Sequence, residues 1–120
     1  MKFCITGATG FIGRELVERL SDENHQVKIL ARKNNATFPE NVEIIFGDLI
    51  QSDCPLKKFL KDCDILFHCA GETTNTNAMR AVNVDGTKSL ISAALNESSH
   101  KNRKIHWVQI SSCRVYGPPV

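Results

Sequence analysis

Five short apolar runs, Lys2–Thr6, Gln26–Ala31, Val42–Phe46, Asp64–Cys69 and Ile105–Ile110, alternate with segments of helical periodicity. The stretches "FCIT", "ILFHCA" and "IHWVQI" are apolar at nearly every position, as strands covered on both faces should be. Between the first two runs, "FIGRELVERL" carries Ile12, Leu16, Val17 and Leu20 at helical spacing, and Asp22, Glu23, Asn24 and His25 form a polar turn. "PLKKFLKDC" opens on a proline suited to a first helical position and sets Leu56 beside Phe59 and Leu60. A long segment from about Asn75 to Asn96, with "SLISAAL" inside it, is helical again. Strand, helix and strand joined by short connections make βαβ units, hence a parallel sheet with helices on both faces. Right-handed crossovers then favour an α/β doubly wound arrangement. The 120 residues suit one domain, and 42% hydrophobic content is enough for a core. No repeat, low-complexity segment or linker interrupts it.

Charge and cysteine usage narrow the function. A net charge of +2 implies no general affinity for polyanions. The densest basic cluster, "HKNRK" (His100 to Lys104), falls between a helix-like and a strand-like segment and reads as a solvated loop, not a nucleic-acid patch. The first residues already read as a strand, so no secretory signal is expected, and no apolar stretch is long enough for a bilayer. The five cysteines lack metal spacing: Cys63 and Cys69 are six apart, and Cys4, Cys54 and Cys113 are scattered. They are expected to be buried reduced thiols of a cytoplasmic protein with no metal site.

"TGATGFIG" follows the first strand directly and sets Gly7, Gly10 and Gly13 three residues apart. At such a turn the amides and dipole of the helix start suit a phosphate. Gly7 can take turn conformations barred to other residues, Gly10 leaves room for a pyrophosphate against the backbone, and Gly13 lets helix and strand pack closely. The spacing is G-x-x-G-x-x-G and not that of a P-loop, since Arg14 and Glu15 stand where a Lys-Ser/Thr pair would follow.

On these residues the chain resembles the N-terminal part of an extended short-chain dehydrogenase/reductase, the superfamily of nucleotide-sugar epimerases and dehydratases. "TGATGFIG" is similar to the family's TGxxGxxG, which implies the amides of Phe11 and Ile12 at a pyrophosphate. "GDL" matches the acidic residue after strand three, implying Asp48 and Leu49 at an adenine. "HCAG" matches the end of strand four, where Cys69, Ala70 and Gly71 would pass under the cofactor ribose. "NVDGT" matches a helix motif whose Asn83 is implied to hold the sheet near the active site. "SSCRVYG" matches the end of strand five and puts Ser112 at the catalytic serine position. Plainer readings stand beside these: Asp48 can cap a turn, Asn83 can be structural, Cys113 is inert, and His68 in its apolar strand is a satisfied core histidine.

Strand two ends in "ILARKNN", with no acid from Ile29 to Asn35, and Ala31 stands where an acidic residue would accept both ribose hydroxyls. Arg32 can meet a 2′-phosphate instead, so NADP is favoured over NAD. The resemblance implies hydride transfer at an alcohol or ketone carbon, with a tyrosine, a lysine and the serine as machinery and a small molecule, a nucleotide sugar among the candidates, as substrate. The family's Y-x-x-x-K is absent, since Val120 is the fourth residue after Tyr116. The chain is therefore expected to be an inactive N-terminal fragment of a longer enzyme, for which a homodimer is open. An NADP-sensing regulator and an interaction domain without nucleotide stay as alternatives. The short stretch "GETTNTNAMRAVN" leaves little room for a substrate loop and keeps a ketone or aldehyde reductase in play.

Overall fold

A computed structural model describes residues 1–32, 37–112 and 117–118. The chain runs through β1 (Lys2–Thr6), α1 (Phe11–Asp22), β2 (Gln26–Ala31), β3 (Val42–Phe46), α2 (Leu56–Leu60), β4 (Ile65–His68), α3 (Thr76–Met79), a π-helical stretch (Arg80–Gly86), α4 (Thr87–Lys101) and β5 (His106–Gln109). Lys33, Asn34, Asn35, Cys113, Tyr116 and Val120, all used in the sequence reading, lie outside the described residues.

The strands form one sheet in the order β3-β2-β1-β4-β5 with every neighbouring pair parallel, which is the doubly wound α/β arrangement the alternation implies. Thr6, the last residue of β1, is paired with Leu30 on one side and His68 on the other. The chain winds outward from β1 to β3, then crosses back to β4. The strand order thus reverses beside β1, and the crevice outside the carboxyl ends of β1 and β4 is where such sheets place ligands.

Period-two alternation divides the core between the two faces. Cys4, Leu30, Ile45 and Leu66 meet Phe59 and Leu60 of α2 and Leu90 and Ala94 of α4. Ile5, Val27, Ile29, Ala31 and Val42 meet Val17 of α1 on the opposite face. Each such large side chain removed from water contributes roughly 1.5–3 kcal/mol. Among the described residues of these strands Lys28 is the buried lysine, 4% exposed. Its ammonium donates to Lys58 O at 3.1 Å and Lys61 O at 3.4 Å and lies 3.8 Å from Glu43 Oε2. The charge thus satisfies the carbonyls at the end of α2, where a helix has acceptors to spare.

Several local expectations are corrected. β4 and β5 are shorter than the apolar runs, although ladder-like bonds continue past their ends, from Asp64 N to Lys2 O at 2.9 Å and from Ile110 N to His68 O at 3.1 Å. Pro55 is the cap of α2 and not its first helical residue, and the helix stops at Leu60. Asp22 ends α1, and the turn there is made by Asn24 at φ 62. The buried face of α1 is Gly13, Val17 and Ser21, so Ile12 is 45% exposed and not part of the core stripe. α4 runs on to Lys101 and ends at Asn102 in the left-handed region, which places His100 and Lys101 in a helix and only the rest of the basic cluster in a loop. Of the cysteines, Cys4 and Cys63 are buried, Cys54 and Cys69 are half-buried, and all four are free.

Candidate functional site

The turn between β1 and α1 is built on backbone contacts that leave no room for side chains. Gly7 has φ +69, and a Cβ on it would stand 2.6 Å from Cys69 C at the end of β4. Gly10 N donates to Gly7 O at 3.0 Å, and Arg14 N to Gly10 O at 3.0 Å, closing the turn and opening the helix. A Cβ on Gly13 would run into Gly7 O, with Gly7 C at 2.7 Å and Ala8 Cα at 3.0 Å, so α1 approaches the turn as closely as a helix can. Gly10 differs. A Cβ there would meet only Gly7 O, at 3.3 Å, and its other directions are open. Gly10 caps α1 with no side-chain bond, so the first-turn amides of Phe11, Ile12 and Gly13 have no acceptor within the helix.

This turn is one wall of a cleft of about 270 Å³ at the carboxyl ends of β1 to β4. The cleft gathers Gly7, Gly10, Arg32, Asp48, Leu49, Cys69, Ala70 and Gly71 from four separate segments. Phe11, Ile12 and Gly13 begin α1 just beyond it, and the Phe11 side chain is 96% exposed. Asn83 is not in its wall, and Ser112 lies in the segment after β5, exposed and outside the lining. Asp48 Oδ1 accepts from Ile50 N at 3.2 Å, so it caps its turn while facing the cleft. Leu49 is 8% exposed and belongs to the core as well as to the wall. Burial pushes the Cys69 thiol up, which keeps it protonated and unreactive.

Beneath the floor, His68 is fully buried between two threonines. Its Nδ1 shares a hydrogen bond with Thr6 Oγ1 at 2.6 Å and its Nε2 with Thr87 Oγ1 at 2.8 Å. A neutral imidazole meets both, with one donor and one acceptor nitrogen. Thr6 Oγ1 also accepts from Ala70 N at 3.2 Å and so holds the strand-end amide in the cleft wall. Burial moves the His68 pKa down from its ordinary value. The unfolded chain then binds the proton more readily than the folded one, so the stability from neutral His68 is complete above about pH 6.5 and is lost as pH falls toward the folded value. Wild-type stability should drop below about pH 6.5 by at most roughly 1.4 kcal/mol per pH unit from this group. Denaturant melts from pH 7.5 to 5 should show a shallower slope for His68→Gln; equal slopes would contradict the assignment.

The segment after β4 carries features not apparent in the sequence. Asn83 sits in the π-helical stretch, and its side chain clasps one backbone unit: Glu72 N donates to Asn83 Oδ1 at 2.8 Å, and Asn83 Nδ2 donates to Glu72 O at 2.9 Å. Such π-helical insertions recur at functional sites. The Glu72 Oε1 accepts from Thr74 N, Thr74 Oγ1 and Asn75 N, each at 3.0 Å. These donors hold the carboxyl well below the usual range, at about 2. Glu72, Thr6 and Val82 line the cleft alongside the glycines.

Comparison with known proteins agrees with this fold. The model of the NAD dependent epimerase/dehydratase family matches residues 3–120, and the chain belongs to that family. It is similar to MoeE5, solved in complex with UDP-glucose and NAD, at 28% identity and a TM-score of 0.82 over 99% of this chain and 39% of that one. It is 33% identical over 95 residues to the ceramide reductase of Caulobacter vibrioides, covering 75% of this chain and 30% of the reductase. An uncharacterized protein of Mycobacterium tuberculosis is 25% identical over 98% of this chain and 15% of its own length. The chain therefore spans well under half of these relatives. Among the described residues no helix is long and apolar enough to cross a membrane.

Proposed function

We propose that the cleft holds a nicotinamide dinucleotide, NADP in preference to NAD, and that this single domain is the cofactor-binding part of an oxidoreductase or epimerase. The observation that carries the reading is the opening at Gly10. There the start of α1, whose first-turn amides have no acceptor within the helix, adjoins the cleft that Gly10 lines, and a Cβ on Gly10 would meet only Gly7 O. In this reading the amides of Phe11 and Ile12 hold the pyrophosphate, while Gly7 and Gly13 keep the turn tight against β4 and α1. Asp48 and Leu49 receive the adenine, Arg32 the 2′-phosphate, and Cys69, Ala70 and Gly71 the second ribose. Asn83 fixes the Glu72 segment beside them. A bound nicotinamide supplies hydride exchange with a substrate carbon. Ser112 follows β5 on the ligand edge of the sheet and donates a hydrogen bond to the reacting oxygen, which needs no shifted pKa.

The substrate class we favour is a nucleotide sugar, altered at an alcohol or ketone carbon, a reading supported by the similarity to MoeE5. The likeness to a ceramide reductase and the short Gly71–Asn83 segment favour a ketone or aldehyde reductase as the second reading. Calorimetric titration of the 120-residue chain with both cofactors tests the first step. NADP should bind about tenfold or more tightly than NAD, the worth of one charge-assisted contact to the 2′-phosphate, and Arg32→Glu should erase or invert that preference. Equal affinities in the wild type would remove Arg32 from its role.

A further inference from the structure

We propose that Glu72 is a specificity-determining residue for the redox state of the cofactor: its fixed carboxylate makes the domain bind the oxidised dinucleotide more tightly than the reduced one. The inference rests on the cofactor reading above and adds a property of the same cleft. The charged residues lining the cleft are unevenly placed. Arg32 and Asp48 come from the ends of β2 and β3, and Glu72 alone follows β4. In a doubly wound sheet the residue at the end of the second strand meets the adenosine ribose, so the other half of the dinucleotide extends across the switch point toward β4 and β5. Among the described residues, Glu72 is therefore the charged wall residue on the nicotinamide side.

Two features make that charge a fixed one. The backbone of Glu72 is held at both its N–H and its C=O by the Asn83 side chain, so the residue cannot swing with its loop. Its Oε1 accepts from Thr74 and Asn75, which ties the carboxyl to its own turn. These donors, with the backbone N–H of Thr73, stabilise the ionised form, which keeps the charge in place across any working pH.

The two redox forms of the cofactor share their phosphates and ribose hydroxyls. They differ by one charge, because the oxidised ring is a cation and the reduced ring is neutral. A fixed anion on that side attracts one and not the other, and Coulomb attraction between unit charges across a partly wetted cleft is worth roughly threefold to tenfold in affinity. The domain should thus favour the state ready to accept hydride.

The test is fluorescence or calorimetric titration of wild type and Glu72→Gln with NADP⁺, NADPH and 2′,5′-ADP, the last filling the adenosine half alone. Glutamine keeps an oxygen acceptor for Thr74 and Asn75, and a thermal melt of each sample reports any loosening of the turn. We expect Glu72→Gln to weaken NADP⁺ by threefold to tenfold more than NADPH, with 2′,5′-ADP unchanged. A variant that weakens NADP⁺ and NADPH equally, or weakens 2′,5′-ADP as much, would assign Glu72 to loop structure and overturn the proposal. Thr74→Val removes one donor while leaving the charge, and it should keep the wild-type preference; a preference lost there would also overturn it. If wild type binds none of the three, the cofactor reading itself fails, an outcome distinct from an unchanged ratio.

Discussion

Gly10→Val should abolish dinucleotide binding, by at least about a hundredfold in Kd, while the protein remains folded. The residue adopts an extended conformation, φ −80 and ψ 176, that valine also accepts, so no backbone strain opposes the change. A Cβ would touch only Gly7 O, at 3.3 Å, and the γ-methyls would enter the cleft that Gly10 lines. Valine is a poorer helix cap than glycine, which costs about 1 kcal/mol or less. The cleft, in contrast, loses the close approach that a pyrophosphate needs. Thermal melts beside calorimetric titration separate the two effects. A variant that melts far below wild type yet still binds would make Gly10 a structural glycine only.

Gly13→Ala should do the reverse and damage the fold. In an ordinary helix this substitution is stabilising, by close to 1 kcal/mol, because alanine is the better helix former. Here the new methyl would run into Gly7 O and lie 2.7 Å from Gly7 C, and both are backbone atoms that cannot rotate away. Either α1 lifts from the turn or the turn opens, and α1 then loses the packing of Val17 against Ile5 and Ile29. Overpacking of this kind costs about 3 kcal/mol, enough to outweigh the propensity gain. For a chain of this size the expected fall in Tm is roughly 10 °C, read by calorimetry or circular dichroism. A Tm equal to or above wild type would show that the helix can shift without cost. Gly10 and Gly13, three residues apart in one motif, should thus respond oppositely in fold and in binding.

The sheet was legible because strands covered on both faces need apolar residues at successive positions, and three of the five runs announce themselves that way. Lys28 interrupts the second run, and its reason lies in the carbonyls of α2, which are distant in sequence. The glycine turn was legible because close backbone approach restricts residue choice to one type. The buried face of α1 was misread at Ile12, since hydrophobic periodicity cannot register that a glycine and a serine, Gly13 and Ser21, occupy the core side. The polar run from Asn96 to Lys101 gave no apolar signal, so the end of α4 was placed too early. The π-helical stretch was hidden because a spacing one residue wider than an α-turn leaves no trace in a 3.6-residue pattern. Its consequence, the Asn83 clasp on Glu72, joins two residues through backbone atoms that no side-chain pattern encodes.

The central claim is that the crevice beside β1 is a dinucleotide site organised by the turn from Gly7 to Gly13. Amide chemical shifts of the ¹⁵N-labelled chain, followed while NADP⁺ is added, test it most directly. The account predicts saturable shifts concentrated at Gly10, Phe11 and Ile12, at Asp48, and at Ala70 and Gly71, with the outer face of α4 unmoved. Spectra that stay unchanged at millimolar NADP⁺, or shifts confined to residues away from that crevice, would contradict it.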